Sequence, residues 1–155
     1  MQLSEDLLVA LGDLNITPGT IEPGALSEGV ARFPISGGGL DQATLRGDIF
    51  HLGGLSLSDA SGTLVQLLNF IIDTSDEQAV ITGLVTVNGD LVDRIPLFNL
   101  NLTSAQVERS LFSLTVRDAT LLLTPDAADA LNAVFEVEAF VAGFNVGVAE
   151  VSALF

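Results

Sequence analysis

The sequence predicts a single all-β domain over residues 1–155, an antiparallel β-sandwich or a barrel-like sheet with one short C-terminal helix. Three observations predict this fold class. Apolar residues alternate with polar ones along most of the chain, and glycine-rich stretches separate these runs. Of the 155 residues, 48% are hydrophobic, which is enough for one core. No repeat of fixed period and no linker-like segment divides the chain.

The clearest predicted element is a β-hairpin at Asn88-Gly89. Alternating runs at 80–87 and 90–102 flank this pair, which supplies the positive φ angles that a type I′ turn needs. Pro96 lies inside the second run and predicts an edge position or a bulge, because proline cannot donate to the sheet. Further strands are predicted at 30–35, 44–52, 54–58, 63–73, 111–124 and 144–155, with turns at 37–39, 53–54 and 59–62.

Two helices are predicted from their first residues. Thr124 as N-cap, followed by Pro125 and Asp126, begins a helix whose apolar residues at 128, 131, 134 and 135 share one face. Ser4, followed by acidic residues, begins a second short helix that ends at Gly12. The phenylalanines fall at positions suited to the core and are predicted to be buried: Phe33, Phe50, Phe70, Phe98, Phe112, Phe135, Phe140 and Phe144.

Composition excludes several classes of function. The chain has 20 acidic residues, five arginines and no lysine, which gives a net charge of −15. Such a surface repels phosphate backbones, so we expect no nucleic-acid partner. The absence of cysteine rules out disulfides, zinc–thiolate sites and thiol nucleophiles. No apolar run reaches the length of a membrane span, and no basic region typical of a signal peptide precedes the first strands.

Two groups of residues are candidates for a site. His51, at a strand end before Gly53-Gly54, is the only side chain that titrates near neutrality, and it is either a half-buried strand residue or a ligand. Asp73, Asp76 and Glu77 place oxygens close together in a predicted loop and are a candidate calcium site, with a solvated acidic turn as the alternative. A Ser–His–Asp triad could be formed with Ser36 or Ser58, but no nucleophile elbow supports it, so we expect no enzymatic activity.

Eight short segments, in order, resemble the HtaA-type domain of secreted and cell-surface actinobacterial proteins over about residues 30–151. They are FPISGG at 33–38, GDIFH at 47–51, GGLSL at 53–57, FIIDT at 70–74, RIPLF at 94–98, LLLT at 121–124, AADALN at 127–132 and FVAG at 140–143. The resemblance implies a β domain at the cell surface or in the medium, which would follow removal of a signal peptide.

The resemblance also implies a ligand. Members of the family with a known role bind haem through a tyrosine and a nearby histidine, and His51 matches the position of that histidine. The chain contains no tyrosine. We therefore expect a non-enzymatic extracellular domain with a binding or structural role and no resident cofactor, and haem binding through His51 is the alternative.

A third hypothesis is self-assembly. The last predicted strand ends Val151-Ser152-Ala153-Leu154-Phe155, and the chain lacks the lysines that commonly protect exposed strand edges. Strand addition at this edge would give a homo-oligomer or a filament subunit. Other cell-surface proteins are alternative partners, and divalent cations could bridge the acidic surfaces.

Overall fold

The computed structural model describes residues 1–154, which form two helices and thirteen strands of one antiparallel sheet. The helices are α1 (Glu5–Asp13) and α2 (Pro125–Phe135). The strands are β1 (Gln2–Leu3), β2 (Thr17–Ile21), β3 (Ala25–Ser27), β4 (Val30–Arg32), β5 (Ile35–Leu40), β6 (Gly47–His51), β7 (Gly54–Ser58), β8 (Leu64–Asp73), β9 (Ala79–Val87), β10 (Asp90–Asn101), β11 (Gln106–Arg109), β12 (Ser113–Leu123) and β13 (Asn145–Leu154). The predicted all-β, barrel-like fold with two short helices is confirmed.

The sheet curves on itself until it is nearly closed. Its neighbouring strands run in the order β2-β7-β8-β9-β10-β12-β13-β1-β4-β3, and β5 extends it through β6, which pairs with β8. Side chains from opposite walls meet inside, where Leu121, Ala31 and Val65 have 1% exposure or less. Among residues 1–154, no helix is long and apolar enough to cross a membrane.

Bulges in two long strands, β8 and β12, allow each of these strands to pair with two different strands along the same edge. In β8 the register shifts between Leu68 and Ile71, so that β7 pairs with its first half and β6 with its second. In β12 the shift lies between Val116 and Ala119. On one edge, β11 pairs with the residues of β12 up to Arg117, and β10 pairs with those from Thr120 onward. Asn69 and Asp118, at the two bulges, have φ angles of 51° and 58°, which these residue types tolerate better than most. The bulge in β8 positions the candidate site.

Several sequence predictions are confirmed at the level of single residues. Asn88 and Gly89 both have positive φ and connect β9 to β10. Pro96 lies at a register shift of β10, in the part of that strand that pairs with β9 and not with β12, so both of its predicted roles are confirmed. Thr124 caps α2, and Ser4 caps α1 by accepting a hydrogen bond from the Leu7 amide.

Other predictions are wrong. Gly37, Gly38 and Gly39 do not form a turn but lie within β5, which pairs with β6; the Cβ of any other residue at Gly38 would lie 2.1 Å from the Asp48 carbonyl oxygen. The predicted strand 30–35 is split between β4 and the start of β5. Two phenylalanines predicted to be buried are exposed: Phe50 in β6, at 39%, and Phe112, at 70%, which lies just before β12 begins.

Four short strands (β1, β2, β3 and β11) were not predicted from the sequence. Each has two to five residues, too few for an alternating pattern to stand out. β2 also contains Pro18 and Gly19, which normally indicate loops. The proline is tolerated because β2 is an outer strand that pairs with β7 alone.

Candidate functional site

His51 lies where β6 ends beside β8 and the chain crosses to the other half of the β8 edge. The crossing uses Gly53 and Gly54, and neither position has room for a side chain. A Cβ at Gly53 would lie 2.6 Å from the Ile21 carbonyl oxygen, and one at Gly54 would lie 2.0 Å from that of Leu67. These two glycines therefore fix the position of the histidine next to the bulge in β8.

The bulge supplies the hydrogen-bond partner of His51. Asn69 leaves the regular β conformation, and the Phe70 carbonyl oxygen then lies 3.3 Å from Nδ1 of His51. A histidine held through one ring nitrogen by a main-chain carbonyl presents its other nitrogen, Nε2, to a ligand.

His51 forms part of the wall of an open cavity of about 170 Å³. The apolar part of the wall comes from strands that are distant in sequence, and two charged side chains lie among the lining residues. The lining residues are Met1, Ala31, Arg32, Phe33, His51, Phe70, Ile72, Ile81, Phe98, Leu121, Ala149, Glu150 and Val151.

Burial controls the electrostatics of the cavity. Desolvation lowers the pKa of His51 below its ordinary value, and this effect outweighs the opposing hydrogen bonds to the carbonyls of Phe70 and Ile49. Burial therefore favours the neutral form of this histidine. Desolvation also lowers the pKa of the Met1 amino group, with a further contribution from the nearby charge of Arg32.

The residues of the cavity do not fit the haem-binding mode implied by the sequence resemblance. That mode uses a tyrosine, and the chain has none. The volume of about 170 Å³ is also below the roughly 300–1,000 Å³ of cavities that hold drug-sized ligands. The arrangement suits a smaller molecule with an apolar body.

The three candidate calcium ligands lie at the end of β8 and in the exposed turn after it. Asp73 accepts hydrogen bonds from the amide and hydroxyl of Ser75, which lower the pKa of its carboxyl group. Asp76 and Glu77 are exposed. Within residues 1–154, no three His, Cys, Asp or Glu side chains are arranged to hold a metal ion, and calcium binding at this turn stays a prediction.

Sequence reasoning found His51 but missed the other lining residues. Arg32 and Glu150 are far from His51 in sequence, and they reach the same cavity only because the sheet curves until β4, β6 and β13 meet around it. No local pattern around either residue indicates this neighbourhood.

Comparison with known proteins identifies the fold. The sequence matches no family model, and no curated protein matches it significantly. Two solved structures from Corynebacterium glutamicum are similar. The C-terminal domain of HtaA has a TM-score of 0.71 and 16% identity, with 90% of this chain and 83% of that chain covered. The domain-swapped dimer of a histidine-to-alanine variant of the same domain has a TM-score of 0.69 and 14% identity, with 99% and 95% covered. The predicted HtaA-type resemblance is confirmed, and this chain has the fold of the C-terminal domain of HtaA.

Proposed function

We propose that this chain is a non-enzymatic binding module of the cell surface or the extracellular medium, and that its ligand occupies the cavity beside His51. The cavity is the observation that carries the proposal. It combines an apolar wall with one imidazole whose partner is the Phe70 carbonyl at 3.3 Å, and few convergent polar groups on an apolar wall are typical of ligand sites. Among residues 1–154, His51 pairs with a carbonyl and not with a nucleophile or an acid, which supports binding over catalysis.

Nuclear magnetic resonance titration tests the binding site. We expect the neutral probe phenylacetamide to shift the resonances of His51, Phe33 and Phe70 in a saturable way and to leave those of exposed Phe112 unchanged. Val151→Phe, at the cavity wall, should weaken binding at least fivefold by filling space. Val148→Phe is the matched control, because Val148 is exposed on the same strand and outside the lining. Equal shifts throughout the protein, or no shifts, would refute the site.

Titration with hemin distinguishes the haem alternative. Because the tyrosine ligand is missing and the cavity is small, we expect no stoichiometric Soret band. A saturable band that is lost in His51→Ala would overturn this expectation and make haem the ligand.

The proposed location needs a separate experiment. It is supported by the sequence resemblance to secreted and cell-surface domains. Expression of the whole gene in its source organism, followed by fractionation, should place the protein in the surface or medium fraction. Recovery from the cytoplasm alone would refute the location and leave the binding site untouched.

Self-association through β13 is a second candidate function, and the edge of that strand favours it. Its first half pairs with β12 and β1, but residues 149–154 pair with β12 only. At the end of this edge Leu154 is 87% exposed, and Leu111 and Phe112, in the neighbouring turn, are 87% and 70% exposed. The similar HtaA variant forms a domain-swapped dimer, which supports the proposal that this fold associates with itself.

Light scattering across a range of protein concentrations tests self-association. We expect a concentration-dependent increase in mass for the wild-type chain that Leu154→Lys abolishes, since lysine protects strand edges. Leu91→Lys is the matched control, because Leu91 is also exposed, at 65%, but lies in the β9–β10 hairpin. A monomer under all conditions, with and without calcium and salt, would exclude this function.

A further inference from the structure

We infer that the cavity beside His51 selects a small aromatic monocarboxylate, whose ring occupies the apolar interior and whose carboxylate contacts Arg32. This inference rests on the proposed function, because it names the class of ligand for the same site. Three observations support it: the size of the cavity, the aromatic pair in its wall, and a lining arginine whose guanidinium has no hydrogen-bond or salt-bridge partner among residues 1–154.

The cavity has the size of one aromatic ring. Its volume is about 170 Å³, and an engineered apolar cavity of about 150 Å³ binds benzene. Phe33 and Phe70 both line it, with ring centroids 5.0 Å apart at an interplanar angle of 73°. A third ring beside this pair can make edge-to-face or offset contacts, which stabilise aromatic groups beyond simple burial.

Arg32 is the arginine that the fold leaves available. Within residues 1–154, four of the five arginines form hydrogen bonds or salt bridges. Arg46 donates to the Ser75 carbonyl, Arg94 to the Thr82 hydroxyl and the Asn69 carbonyl, Arg109 to the Gln42 carbonyl, and Arg117 to Glu108. The guanidinium of Arg32 forms no hydrogen bond or salt bridge with residues 1–154, and Arg32 lines the cavity.

The charges around the cavity favour a ligand with one negative charge over a dianion. Glu150 also lines it, and its carboxylate lies 3.7 Å from the guanidinium of Arg117, which offsets part of its charge. The Met1 amino group donates to the Ala31 carbonyl at 2.9 Å. Because the chain has a net charge of −15, a dianion would be repelled more strongly than a monoanion.

The test compares phenylacetate with phenylacetamide, which have nearly the same shape and differ in charge. Dissociation constants are measured for the full chain by resonance titration in 0.15 M salt at pH 7.5, where His51 is neutral. We expect phenylacetate to bind at least threefold more tightly than phenylacetamide, and Arg32→Gln to reduce this ratio to about one. A modest ratio is expected because Arg32 is exposed to solvent, where water screens the interaction of two charges.

Arg46→Gln is the matched control, because it changes the net charge equally and lies outside the cavity lining. It should keep the wild-type ratio, and Glu150→Gln should increase the ratio by removing the opposing charge. Equal binding of both probes to the wild-type chain, or equal loss of the ratio in both arginine variants, would refute the role of Arg32 and leave the binding site standing. Failure of both probes to bind would refute the proposed function itself.

Discussion

Thr124 joins α2 to the sheet, and removing its hydroxyl group gives the sharpest test of how the fold is held together. The residue is 3% exposed. Its Oγ1 accepts a hydrogen bond from the Ala127 amide at 3.1 Å and donates one to the Pro96 carbonyl at 2.6 Å. Thr124→Val keeps the shape of the side chain and removes both bonds.

The expected loss of stability follows from these two bonds. Loss of an N-cap costs about 1 kcal/mol, and leaving a partner in a poorly solvated position without its donor costs about 1–2 kcal/mol more. Thr124→Val should therefore lower the free energy of unfolding by about 2–3 kcal/mol, which corresponds to roughly 4–12 °C in Tm for a chain of this size.

Urea denaturation followed by far-ultraviolet circular dichroism measures this change, since the chain has neither tryptophan nor tyrosine for fluorescence. Thr124→Ser is the control; it retains the hydroxyl and should lose less than half as much stability. If Thr124→Val unfolds within about 0.5 kcal/mol of the wild-type chain, a value below that of one typical cap, then the hydrogen bonds of Thr124 do not hold α2 in place.

Three further predictions concern strand spacing and pH. Gly54→Ala should prevent folding or greatly lower the free energy of unfolding, because its Cβ would lie 2.0 Å from the Leu67 carbonyl oxygen. Gly39→Ala is the control; it has open space around it and should fold with nearly wild-type Tm. Burial lowers the pKa of His51 from its ordinary 6.5, so the unfolded chain binds more protons than the folded chain below that pH. The free energy of unfolding should therefore fall as the pH drops from 6.5 through the lowered pKa. His51→Gln should flatten this pH dependence in urea titrations, and an unchanged pH dependence would contradict the prediction. Hydrogen bonds, chiefly from the Ser61 hydroxyl, lower the pKa of Asp59 from 3.8. The contribution of its carboxylate to stability is therefore present above pH 3.8 and lost as the pH falls through the lowered pKa. Acid-unfolding curves of Asp59→Asn should lack this loss of stability.

The sequence by itself determined the class of the fold and several of its local features. Alternation of apolar and polar residues selects strands because side chains alternate between the two faces of a sheet. The Asn88-Gly89 turn and the caps at Thr124 and Ser4 depend on the chemistry of a few adjacent residues. His51 was also visible as a candidate, since its ability to titrate is a property of the residue type.

Tertiary structure alone decided where the cavity lies and what surrounds His51. The Gly37–Gly39 stretch could be a turn or a strand, and pairing with β6 selected the strand because only glycine fits at Gly38 beside the Asp48 carbonyl. The lowered pKa of His51 follows from burial by distant strands, and Arg32 reaches the cavity only through the curvature of the sheet. Local sequence can determine backbone conformation, but neighbourhood and desolvation arise when segments far apart in the chain pack together.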